Sequence, residues 1–351
     1  MADDLVLRTS GVELEGWTSI QVTRSIDQLA DSFALSVATS QIRSIDIYAG
    51  EPCEILYRGE LLISGYIDEI DAGDSATSTT LSVAGRSRAG DLVDCSAIHK
   101  PWRNVEGLKI AKELCEPFGI AVSTTAGQLP KERYFKVAEG ETVFDALARL
   151  AALHGARVVS YPDGSIRFVR VGELRYPDVT IERGRNVVSA RVRRSMTERF
   201  SQYIFKAQLA ADDETFGEAA AAVKYEVDDA GVDRYRPLVI QTDGQRGKTA
   251  LQDAATWERN TRAGRSLELE YEVANPLDMG GSWAHARGIW EPNIIVAVYD
   301  DLHGIDGEFI VVAVTLLRDA GGTRTQLRLT QPEAYDVKKP PIKRKKGGMV
   351  F

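Results

Sequence analysis

Cysteine and histidine are scarce, and their scarcity removes several kinds of chemistry. Cys53, Cys95 and Cys115 are an odd number at wide spacing, which fits neither a disulfide framework nor a paired metal knuckle. All three read as small buried hydrophobes. His99, His154, His285 and His303 lie far apart, none within an HExxH run or beside a cysteine at ligand spacing. No metal or cofactor is expected. The sequence has no run of 18 apolar residues, so no membrane-spanning helix is expected. Met1-Ala2-Asp3-Asp4 puts two acids where a secretory signal carries basic residues, and synthesis in the cytoplasm is expected. No GxxxxGKS/T or GxGxxG run opens a helix. Gly85-Arg86-Ser87-Arg88-Ala89-Gly90 lacks the spacing of a GxSxG nucleophile elbow and reads as a turn leading into a short helix. With no general-base cluster either, the chain is not expected to be an enzyme.

What is present is an ordinary globular composition, 44% hydrophobic and 27% charged over 351 residues, enough for two or three cores. The net charge of −8 conceals a split: residues 338–351 carry six basic side chains and no acid, which leaves about −14 on the rest. An acidic body argues against tight wrapping of nucleic acid, which needs Lys/Arg neutralisation of phosphates. It is compatible with a passage through which DNA slides.

Apolar periodicity divides the chain. Ser19–Arg24, Ser32–Ala38, Cys53–Tyr57, Leu61–Ile70 and Thr79–Ala84 alternate apolar and polar residues between Gly, Asp and Ser clusters, predicting an antiparallel barrel or sandwich. Beyond Pro101 the period lengthens: Val105–Phe118 reads as a helix with Asn104 as N-cap and Gly119 as stop. A second helix starts after Thr142, with Asp145 three residues on in the manner of a capping box, and ends near His154-Gly155. Ala156–Ser160, a Tyr-Pro-Asp-Gly turn at 161–164 and Ser165–Val171 read as a hairpin. Strand signals resume with Val187–Val192, Tyr203–Leu209, Leu267–Val273, Ile294–Val298, Glu308–Leu317 and Thr325–Leu329, interrupted by a helix near Lys248–Ala263. Asp212–Ala222 has no clean period and reads as a flexible loop or short helix.

A weak echo links the two β-rich regions. Gly59-Glu60-Leu61-Leu62-Ile63 leads through an Asp/Gly/Ser stretch to Leu81–Gly85, and Gly307-Glu308-Phe309-Ile310-Val311 leads through Asp319–Gly322 to Leu327–Leu329. Each follows a short strand and, farther upstream, a strand pair: Ser19–Arg24 with Ser32–Ala38, and Val187–Val192 with Tyr203–Leu209. The expected architecture is mainly β with an α+β insertion: two similar antiparallel β-barrels at 1–96 and 184–337 and a small α+β domain at 97–183, followed by a basic tail at 338–351. Two similar barrels per chain would let a trimer present six near-equivalent domains to a sixfold partner.

Val83-Ala84-Gly85-Arg86-Ser87-Arg88-Ala89-Gly90-Asp91-Leu92-Val93-Asp94-Cys95-Ser96 resembles the end of the first β-domain in baseplate hub proteins of Mu-like contractile-tailed phages. So do Val137–Leu150 with Pro162-Asp163-Gly164, and Trp290–Asn293 through Gly304–Phe309 to Leu327–Leu329. The resemblance implies a structural subunit of the virion tail baseplate, made in the host cytoplasm. It also implies a homotrimeric ring joined to the tail tube or an adaptor, to a spike or needle, and to wedge proteins, with a channel for DNA and no catalysis. No membrane partner and no specific nucleic-acid binding are expected. A rival reading starts from Phe135–Asp145, which resembles the opening of a peptidoglycan-binding LysM domain; the LysM-like stretch is 134–172. There, however, a Pro-Asp-Gly hairpin stands where a LysM continues with a second helix. The tail residues Lys338, Lys339, Lys343, Arg344, Lys345 and Lys346 are either a solvated terminus or a tether that docks on an acidic neighbour.

Overall fold

The computed structural model describes residues 5–39, 47–75, 77–98, 100–207, 223–241, 248–274 and 283–335. The first β region supplies β1 (Leu5–Thr9), β2 (Val12–Leu14), β3 (Ser19–Ser25), β4 (Ser32–Thr39), β5 (Pro52–Tyr57), β6 (Glu60–Asp74) and β7 (Thr79–Ser87). Helix α1 (Gly90–Asp94) leads into an α+β unit of β8 (Trp102–Glu106), α2 (Gly107–Cys115), β9 (Val122–Thr124), β10 (Lys131–Phe135), α3 (Val143–Leu153), β11 (Arg157–Ser160) and β12 (Ile166–Val169). Strands β13 (Leu174–Glu182) and β14 (Val187–Arg194) follow. Next comes a side sheet of β15 (Gln202–Ala207), β16 (Val223–Asp228) and β17 (Pro237–Gln241), packed on α4 (Lys248–Arg265). The chain ends its described part with β18 (Leu267–Val273), β19 (Ala284–His285), β20 (Gly288–Ile289), β21 (Ile294–Asp300), β22 (Ile305–Asp319) and β23 (Gly322–Thr330).

The strands alternate as a sheet with one buried face requires: Ile20 and Val22 are buried while Gln21 is exposed, and Leu267, Leu269, Tyr271 and Val273 are buried while the intervening glutamates are not. The two β regions are not two closed barrels. One 13-stranded sheet runs through both, and among the described residues no pairing closes either half on itself. The cause is β22. Its first half pairs with β21, and past a bulge at Val311/Ala313 its second half pairs with β3 of the first region. Apolar residues from both regions form one interior, with Tyr57 and Trp283 in ring contact at 4.6 Å.

The echo is a true duplication of strand order, although not in the register suggested by the letters. The first region runs β3-β4-β7-β6-β5-β1 and the second β14-β18-β23-β22-β21-β13. In both, the central long strand bulges against its hairpin partner, at Ile67/Glu69 in β6 and at Val311/Ala313 in β22. Just before each bulge a residue of positive φ donates to it: Gly50 N–H to the Ile67 carbonyl at 2.7 Å, and Asn293 N–H to the Val311 carbonyl at 2.8 Å. Ile67 therefore corresponds to Val311, four residues from the alignment of Gly59 with Gly307. The turns differ: Tyr57 pairs Glu60 across a tight turn, whereas Asp300 pairs Ile305 across a longer one. The strand paired with β14 is β18, not the Tyr203 strand, which as β15 belongs to the side sheet. β13 joins β21 in parallel where β1 joins β5 antiparallel.

In the α+β unit, α3 lies where the sequence places it. Thr142 Oγ1 accepts from Asp145 N–H at 3.1 Å, and the Asp145 carboxylate takes the Thr142 hydroxyl at 2.8 Å. Helix α2 starts later than predicted, at Gly107, because residues 102–106 form β8 against β10. Asn104 sits within that strand at φ 55° and caps nothing. Of the three cysteines, Cys53 and Cys115 are buried, but Cys95 is exposed beyond α1. Residues 212–222 lie outside the described residues.

Candidate assembly surface

The seam between the two strand arrays is built from ordinary sheet residues. Ala313 to Arg318 of β22 pair antiparallel with Ser25 to Ile20 of β3. On the half-exposed face the Thr23 and Thr315 hydroxyls meet at 3.2 Å, a cross-strand pair of the kind that fixes register. On the inner face Ile20, Val22, Val314 and Leu316 are buried. One end is locked by Ile26 N–H and Ser25 Oγ, both donating to the Val312 carbonyl, at 3.0 and 3.2 Å. Beside it, Arg24 and Asp31 form an ion pair at 3.4 Å, with side chains 10% and 3% exposed. Burial pushes the Asp31 carboxyl up to about 6 despite the opposing Arg24 charge. Ser87, the serine of the Gly85–Gly90 run, is buried here: its Oγ accepts from Asp31 N–H at 3.1 Å. It is a structural hydroxyl, not a nucleophile.

The α+β unit docks on this seam through a small apolar layer of Ile26, Val159, Val169, Ile295, Ile310 and Val312. Asp27 adds a polar anchor to the unit by pairing with Arg157 of β11 at 3.8 Å, and it ties the two β regions together by accepting from the Tyr335 hydroxyl at 2.9 Å and pairing with Arg328 at 3.2 Å. In the LysM-like stretch, α3 packs on Phe135, whose ring lies under the Arg149 guanidinium at 4.3 Å while Arg149 also pairs with Glu141. Arg149 is thus engaged within the unit itself, with the Phe135 ring and the Glu141 carboxylate.

The histidines do not converge. His154 faces Glu132 at 3.0 Å. His285 packs edge-on against Trp290 at 4.7 Å, and burial pushes its imidazole down to about 4, so it is neutral at pH 7. His303 Nδ1 lies 2.7 Å from Asp300, which also accepts from the buried Tyr271 hydroxyl at 2.9 Å. His99 lies outside the described residues. Among the described residues no group of three His, Cys, Asp or Glu is placed to hold a metal ion, and no helix is long and apolar enough to cross a membrane. A cavity of about 260 Å³ near the end of β14 is lined by Arg193, Arg199, Arg262, Arg265, Glu198 and Glu268, largely paired among themselves and with Asp229. The six tail residues 338, 339 and 343–346 lie outside the described residues. The β3–β22 seam went unread in the sequence; its only local signal is that β6 and β22, 15 residues each, are too long to be covered by one neighbour.

Comparison with known proteins agrees with this architecture segment by segment. Residues 4–87 match the N-terminal domain of the Mu phage baseplate assembly protein GpP-like family. Residues 89–170 match the second domain of baseplate hub protein gp44-like, and residues 248–338 the fourth domain of Mu phage baseplate assembly protein GpP. The baseplate hub protein gp44 of Escherichia phage Mu is 29% identical over 99% of this chain and 93% of its own. The 43 kDa tail protein of prophage MuSo2 from Shewanella oneidensis superposes with a TM-score of 0.84 at 28% identity, over 95% of this chain and 99% of that one. The fold alone extends to the E. coli c3393 protein, a type VI secretion component described as similar to T4 tail proteins gp27 and gp5. That likeness has a TM-score of 0.53 at 11% identity and covers 92% of this chain and 76% of the other. A duplicated strand array, an α+β unit docked on its seam and matches along nearly the whole chain all point one way: the chain belongs to the Mu phage baseplate hub protein family, structural, non-enzymatic components of the virion tail baseplate.

Proposed function

We propose that the chain is the hub subunit that forms a homotrimeric ring between the tail tube, or an adaptor on it, and the central spike or needle. Wedge proteins dock around the ring, and its centre is a channel for DNA. The observation that carries this reading is the duplicated strand order, β3-β4-β7-β6-β5-β1 and β14-β18-β23-β22-β21-β13, joined side by side through β22 and β3. One chain thus presents two near-equivalent units, and three chains present six. A threefold assembly can then meet a sixfold tube on one side and a threefold spike on the other. In this reading residues 1–96 are one ring unit, residues 184–337 together with β13 (Leu174–Glu182) are the other, and the remainder of residues 97–183 decorates the ring. The basic residues Lys338, Lys339, Lys343, Arg344, Lys345 and Lys346 tether an acidic neighbour.

Light scattering of the purified chain across a concentration range tests the reading. The expected mass is three times the 38.5 kDa of one chain, alone or with the spike bound. A strictly monomeric or dimeric state, in isolation and in the assembled particle, would overturn it.

A further inference from the structure

The duplication leaves one junction unfilled. In the second unit, the outer half of β22 is covered on its β21 side by β3. In the first unit the corresponding stretch of β6, Glu69–Asp74, lies beyond the last residue of β5 and, among the described residues, is paired with β7 alone. It is exposed apart from half-buried Ile70. The strand that corresponds to β3 is β14, paired among the described residues only with β18. Its Val188 is 61% exposed, and the side chains of Arg191 and Arg193 are 77% and 67% exposed. A long open strand edge is a template for another chain and is ordinarily shielded. Here one such edge lies in each of the two repeats, and within the chain the equivalent pair, β22 and β3, is already joined.

We infer that β14 of one copy of this chain adds to the outer half of β6 of the next, repeating between chains the β3–β22 seam that exists within each. The inference deepens the ring reading and rests on it for the number of copies. The pairings fix the register. Through β18 and β4, Thr23 of β3 corresponds to Arg193 of β14. Through the matching bulges, Thr315 of β22 corresponds to Asp71 of β6. The Thr23–Thr315 pair therefore becomes Asp71 against the partner's Arg193, with Ala72 against the partner's Val192 and Gly73 against the partner's Arg191. The charges fit. The β6 stretch reads Asp68-Glu69-Ile70-Asp71-Ala72-Gly73-Asp74 and the β14 stretch Arg191-Val192-Arg193-Arg194, so acids meet arginines directly and diagonally. On the inner face, Ile70 and the partner's Val192 continue the apolar row that Val314 and Val22 make within the chain. Backbone pairing supplies affinity, and opposite edge charges exclude the like-with-like pairings β6–β6 and β14–β14. Because the contact is head-to-tail, it generates a closed ring or an open filament according to the rotation per copy.

The experiment uses the full chain. Asp71→Arg and Arg193→Asp are each expected to weaken self-association at least about tenfold, and the double exchange to restore it. Both positions are exposed, and circular dichroism checks that the fold is kept. In a Cys95→Ser background, Asp71→Cys with Arg193→Cys in one chain brings Cα atoms about 4.5–5.5 Å apart across the junction, within disulfide reach. Mild oxidation should then give covalent dimers and trimers and nothing larger on a non-reducing gel. A ladder past the trimer would uphold the junction and overturn the closed ring. Trimers that form normally in both charge variants, with no cross-link, would overturn the junction and leave the ring standing. A chain that stays monomeric at every concentration and never cross-links would overturn both.

Discussion

The fold concentrates its cost at a few side chains, and Asp31 is the clearest. Its carboxylate is buried at the seam with Arg24 as counter-charge. Asp31→Ala is expected to destabilise the chain by about 3 kcal/mol, because it leaves a buried guanidinium uncompensated; urea unfolding at pH 7 measures this. The sign of the pH effect is opposite to that of a surface carboxylate. Since Asp31 titrates at about 6 in the folded chain and near the ordinary value of about 4 when unfolded, the folded state holds the extra proton between these limits. Its contribution to stability therefore falls as pH rises from about 4 to 6 and is flat above. Asp31→Asn should flatten that part of the unfolding-midpoint profile, and an unchanged slope would refute the assignment. Thr142 is a milder case. Thr142→Ala removes the cap of α3 and should cost about 1 kcal/mol, seen as faster amide exchange in residues 143–146 with no effect on self-association.

At the scale of elements, close backbone approach fixes what side chains do not. A Cβ at Gly65 in β6 would stand 1.9 Å from the Arg86 carbonyl of β7, so Gly65→Ala must pull the two strands apart. The expected loss is about 3 kcal/mol, the upper end for overpacking, with a lowered urea midpoint as the readout. Much at this scale is legible in the sequence, because burial writes itself locally. The glutamates of Leu267–Val273 mark the wet face of β18, and Thr142 marks the start of α3. What is illegible has a physical reason in each case. The seam pairs Thr23 with Thr315, and a contact across nearly the whole chain leaves no local period; two open arrays and two closed barrels have the same alternation. Trp102–Glu106 has too few apolar residues to announce a strand, and its register comes from β10. The tyrosine strand at 203 alternates as well as β18 does, yet it packs on α4 instead of joining the main sheet. The Gly-Glu match at 59 and 307 was an accident of turn length.

At the scale of the whole molecule, the hub reading makes a demand on charge. A baseplate hub that lets a spike leave and DNA pass must not hold polyanions on its way. A net of about −14 over residues 1–337 gives the body a field that repels them, and the β14 arginines that run against this trend are the ones the inter-chain junction would cover. The basic tail carries the opposite sign, with six cations within residues 338–351. The chain truncated after residue 337 is therefore expected not to bind duplex DNA at physiological salt. The full chain is expected to bind weakly, through Lys338–Lys346, with affinity falling steeply as salt is added because only phosphate neutralisation holds the complex. Fluorescence anisotropy with one labelled duplex, titrated with both proteins at two salt concentrations, decides between them. Tight, sequence-selective binding by the truncated body would mean that the acids do not govern the surface DNA meets, and would overturn the open-channel reading in favour of a nucleic-acid-binding one.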